Sequence, residues 1–69
     1  MNTSCRIYEV LDGRSIGLGV HACEYHNPIP QDFNGFQALE TFPDGVKTYL
    51  VAAESQMIAK RKVLECDAK

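Results

Sequence analysis

The chain reads as a small α+β domain: about four antiparallel strands from two β-hairpins, then one C-terminal helix packed on one face of the sheet (ββββα). Three observations predict it. Two Asp-Gly dipeptides, Asp12-Gly13 and Asp44-Gly45, each lie between short runs of β-formers. Asp-Gly tolerates the positive φ angles of tight hairpin turns. Residues 16–25 alternate in character, and the period changes after Ser55 to one that suits a helix.

Segment 5–11, Cys-Arg-Ile-Tyr-Glu-Val-Leu, is a strand by β-propensity. Its partner is 14–25. There Ile16, Leu18, Val20 and Ala22 point one way, and Gly17, Gly19, His21, Cys23 and Tyr25 the other. With Asp12-Gly13 as the whole loop, Ile7 faces Leu18 and Cys5 faces Val20, while Tyr8 faces Gly17 and Arg6 faces Gly19. One face is then an aliphatic core. The other is a ledge of Arg6, Tyr8, His21, Cys23 and Tyr25, with large side chains covering strand glycines. A one-residue slip would undo these pairs.

Segment 27–35 holds Pro28 and Pro30 and ends in Asn34-Gly35, which excludes a regular central strand. It reads as a surface loop carrying Ile29 and Phe33. Segment 36–42 has two readings. Phe33, Phe36, Leu39 and Phe42 recur at helical spacing, but Pro43-Asp44-Gly45 and the strong β run 46–52 favour a second hairpin. Beyond Ser55, which reads as an N-cap, a helical wheel gathers Met57, Ala59, Val63, Leu64 and Cys66 on one half. Gln56 and Lys60 intrude on that half, Lys60 laying its stem on the core, and Ile58 falls among Arg61, Lys62 and Glu65 on the other. The expected core is Ile7, Ile16, Leu18, Val20, Leu50, Val63 and Leu64.

Sixty-nine residues read as a single domain, 1–69. So small a core leaves roughly 3–5 kcal/mol of net stability. With 45% hydrophobic and 23% charged residues the chain should fold, yet it has little room for a deep substrate cavity, which disfavours enzymes. A net charge of −2 gives no general pull toward nucleic acid or anionic membrane. No apolar run approaches the ~20 residues of a membrane span. The N-terminus has no basic stretch leading into an apolar one, so no signal peptide is expected. Three irregularly spaced cysteines, Cys5, Cys23 and Cys66, do not suggest a secreted disulfide framework, and a cytoplasmic location with free thiols is the simplest expectation.

Cys5, His21, Cys23, His26 and Cys66 are zinc-ligand types, but no C-x-x-C pair is present and the alternation separates Cys5 from Cys23. Neither metal nor another cofactor is expected; Cys5 and Cys66 read better as small core residues. His21 and Cys23 share a face without an orienting third group, which falls short of a nucleophilic dyad. Gly17-x-Gly19 precedes no helix, so it lacks the setting of a phosphate-binding loop.

Two function classes remain. The first is a non-catalytic protein-binding module using Arg6, Tyr8, Tyr25, Ile29, Phe33 and Ile58, since contiguous exposed apolar groups with Tyr and Arg mark partner sites. Its partner would be another protein or complex, or a second copy in a homodimer. The alternative is a single-stranded nucleic-acid module using Arg6, Lys60, Arg61 and Lys62, with Tyr8 to stack on bases. No motif here identifies a family. By size, acidity and free thiols alone the chain is analogous to short phage and mobile-element proteins. Many of those are stoichiometric inhibitors, such as anti-CRISPR or anti-restriction proteins.

Overall fold

A computed structural model describes residues 5–67. Met1–Ser4, considered above for a leader, lie outside that range. Four strands run β1 Arg6–Asp12, β2 Val20–Glu24, β3 Phe36–Thr41 and β4 Lys47–Ala53, followed by helix α1 Gln56–Asp67. All pairings are antiparallel, in the order β2-β1-β4-β3. This is the ββββα fold expected, and residues 36–41 are strand. No helix among the described residues is long and apolar enough to cross a membrane.

The second hairpin turns where expected. Phe42 N–H donates to the Val46 carbonyl (2.8 Å) and Gly45 N–H to the Phe42 carbonyl (2.9 Å). Gly45 has φ +102°, the conformation a short hairpin loop asks of glycine. A Cβ there would also come within 3.0 Å of Ser15 Oγ.

The first hairpin departs from the expected two-residue turn. Its loop spans Gly13 to Gly19 and contains a 3-10 turn at Arg14–Ile16. Gly13 N–H donates to the Gly19 carbonyl (2.7 Å) and Leu18 N–H to the Gly13 carbonyl (2.9 Å). Asp12, only 4% exposed, organises the loop. Its Oδ1 accepts from Arg14 N–H (3.1 Å) and Nε (2.9 Å), and its Oδ2 from Arg14 Nη2 (2.8 Å). Such a two-pronged bond is the strong form of the Arg–carboxylate pair. Gly17 and Gly19, with φ of +82° and +81°, are therefore turn residues and not strand residues under large side chains.

The longer loop resets the ladder. Tyr8 pairs with Glu24 and Val10 with Ala22. The shift from the expected pairs is odd, so every β1 side chain changes face relative to β2. Tyr8, Val10, Ala22, Val51 and Ala53 form the core with Ala59 and Val63 of α1. Val20, Phe36, Tyr49 and Ile58 pack against it. Several expected core residues are thereby corrected. Ile16 and Leu18 sit in the loop and are exposed, Leu18 to 62%. Ile7 is half-buried on the face opposite Tyr8, and Leu64 is exposed on the outer side of α1. Leu50 and Val63 are fully buried as expected.

β2 and β3 are the two edges of the sheet, so the link between them must cross it. It does so on the face away from α1, where Tyr25 and Asn27 share a groove with Glu9, Gln37 and Leu39. Leu50 points to this face, in the row with Glu9 and Gln37, and is fully buried. The central strands are thus covered on both sides, which explains why β4 reads as a nearly continuous apolar run.

Candidate protein-binding edge

The two sheet edges are treated differently. On β2, Tyr25 N–H bonds to the Ile7 carbonyl, so strand alternation turns the backbone groups of Ala22 and Glu24 outward. The helix reaches that edge at one position: Gln56 Nε2 donates to the outward Ala22 carbonyl (2.9 Å). Charges guard its end, with Arg6 Nη1 at 2.7 Å and His26 Nε2 at 3.4 Å from the Glu24 carboxylate.

On β3, the Gly35 carbonyl accepts from Ala52 N–H (2.9 Å) and Phe36 pairs with Val51. Alternation then points the N–H and C=O groups of Phe36 and Ala38 away from β4, toward the free edge. A bulge interrupts the ladder between Ala38 and Thr41. There the hydroxyl of Thr48, a residue 2% exposed, satisfies Glu40 twice, accepting from its N–H (3.1 Å) and donating to its carbonyl (3.2 Å). Two large apolar side chains lie exposed along this edge, Leu39 (38%) and Phe42 (37%). Beside them is an open groove of about 450 Å³ lined by Glu9, Tyr25, Asn27, Gln37, Ala38, Leu39 and Glu40.

The structure scatters the protein-binding set chosen from sequence. Tyr25 lines the groove, with its hydroxyl 3.5 Å from the Pro28 carbonyl. Ile29 is exposed and Phe33 half-buried in the crossing loop. Arg6 is exposed but on the β2 side, engaged by Glu24. Two members are corrected. Tyr8 is a core residue at 4% exposure, because the odd register shift turns it under the helix. Ile58 packs on the core, because α1 presents the arc around Ala59 and Val63 to the sheet. Leu39, Phe42 and Glu40 were missed. The sequence offered only part of their signal, a strand-forming segment with no Lys and no internal Pro; its place at a sheet edge comes from the strand order.

The nucleic-acid set does not converge. Lys60, Arg61 and Lys62 are consecutive on one helix, so they fan out at about 100° per residue. Lys62 Nζ is held by the Ala52 carbonyl at 2.8 Å. Cys5, Cys23 and Cys66 are all exposed, which corrects the reading of Cys5 and Cys66 as core residues. Among the described residues no group of three or more His, Cys, Asp or Glu is placed to hold a metal ion.

No protein-family model matches the chain, and no curated protein or solved structure does either.

Proposed function

We propose that this protein is a small non-catalytic binding module that regulates or blocks a larger protein or complex stoichiometrically, by occupying part of its surface. One observation carries the reading. Among the described residues the β3 edge leaves strand-pairing groups unused at Phe36 and Ala38, next to exposed Leu39 and Phe42, while at the opposite edge Gln56 caps the outward Ala22 carbonyl. An uncovered edge strand is a ready template for a partner's backbone, and natural folds usually blunt it. The acidic, cysteine-bearing chain suits a cytoplasmic accessory protein of the phage or mobile-element type, an analogy of size that names no target.

The test is capture of the partner from the native host by tagged wild-type protein and by Ala38→Pro and Leu39→Asp variants. Proline removes the outward N–H and leaves the bonds to β4 in place, since it sits at a position facing away from that strand. Loss of the partner with both variants, each still folded, supports the reading. Retention with both overturns it. If binding instead falls log-linearly with salt and is lost in Lys62→Glu, the nucleic-acid reading stands.

A further inference from the structure

We infer that the free edge of β3 takes an extended segment of a partner protein that carries a basic side chain, laid down as a fifth strand with that cation over the groove between Glu9 and Glu40. This rests on the binding-module reading above and names the chemistry of its partner.

The backbone sets the length of the guest. Phe36 and Ala38 offer their N–H and C=O groups outward, whereas those of Glu40 are already held by the Thr48 hydroxyl. Continuous pairing therefore ends at the bulge, and a guest of about four residues fills it. So few backbone bonds leave selectivity to side chains that reach beyond the edge.

Charge selects the guest. Glu9 and Glu40 both line the groove, and no Lys or Arg lines it with them. Neither carboxylate is in an ion pair among the described residues. Two like charges facing one concavity favour a cation brought in from outside. Leu39 and Tyr25 also line the groove and offer apolar surface for the stem of a long basic side chain. A second copy of this chain, adding its own β3, lacks the cation: Phe36–Thr41 reads Phe-Gln-Ala-Leu-Glu-Thr, with no Lys or Arg to bring to the groove.

The experiment uses the full-length, ¹⁵N-labelled protein and end-blocked peptides Val-Thr-Lys-Val-Thr and Val-Thr-Glu-Val-Thr, followed by amide chemical shifts. The lysine peptide should give saturable shifts at Phe36 and Ala38. The glutamate peptide should bind about tenfold more weakly, the sign expected for attraction against repulsion at one site. The preference should shrink with salt and vanish in the Glu9→Gln, Glu40→Gln double variant, whose melting temperature serves as the folding control. Equal binding of both peptides at β3 overturns the basic partner but leaves strand addition standing. No shift at β3 with either peptide, or concentration-dependent shifts there without peptide, overturns the inference. The binding-module reading is then judged by partner capture with Ala38→Pro and Leu39→Asp alone.

Discussion

A single buried carboxylate decides the shape of the first hairpin. Asp12 is almost fully enclosed, and its two oxygens accept three bonds from Arg14. Asp12→Ala removes the acceptor and leaves the loop without its clasp, so urea denaturation should show a loss of roughly 1.5–3 kcal/mol. Two leucines make a sharper contrast. Leu50 is fully buried, and Leu50→Ala should cost about 2–5 kcal/mol, comparable with the whole stability of so small a domain. Leu18 lies in the loop at 62% exposure, and Leu18→Ala should stay within about 0.5 kcal/mol of the parent. A large loss at Leu18 in the same assay would mean that it faces the core and that the first hairpin has the short turn.

At the level of elements, α1 shows how a broad apolar half becomes a narrow contact. Among the described side chains of α1 only Ala59 and Val63 are fully buried, with Ile58 packed beside them, while Met57 and Leu64 face outward. Two bonds outside the helix accompany this rotation, from Gln56 Nε2 to Ala22 and from Lys62 Nζ to Ala52. The start of the helix, by contrast, is local chemistry. Ser55 Oγ accepts from Ile58 N–H at 3.3 Å, the N-cap arrangement that its position suggested. Ser55→Ala should lower stability by about 1 kcal/mol in thermal or urea unfolding, with the sheet intact by amide shifts. The second hairpin is equally local, closed by Phe42 and Val46 around Pro43-Asp44-Gly45.

Across the whole molecule, the strand order β2-β1-β4-β3 and the placement of α1 together decide which backbone is left open. The helix packs over β2, β1 and β4, and Gln56 reaches the β2 edge. Among the described residues β3 keeps its outward groups at Phe36 and Ala38 unclaimed. Ala38→Pro is the prediction at this scale. Because the lost N–H faces away from β4, the melting temperature should change by only a few degrees, the equivalent of less than about 1 kcal/mol in a domain of this size. Binding through the edge should nonetheless be lost. A variant that unfolds would show that Ala38 bonds inward, and one that binds normally would place the partner elsewhere.

What the amino-acid sequence determined by itself is everything carried by neighbouring residues: four strands and one helix in order, the turn at Asp44-Gly45, the cap at Ser55 and the burial of Leu50 and Val63. These rest on propensity, period and turn chemistry, which act within a few residues. Only the tertiary structure decided the register of the first hairpin, and with it the face of Tyr8. β1 carries apolar residues at both parities, Ile7 and Leu11 on one face, Tyr8 and Val10 on the other. Alternation along such a strand cannot say which side meets the helix, because a central strand is covered on both. The answer came from Asp12 and Arg14, whose pairing lengthened the loop by an odd number of residues and exchanged the faces. The same long-range packing made β3 an open edge, and so brought Leu39, Glu40 and Phe42 to the surface where a partner can meet them.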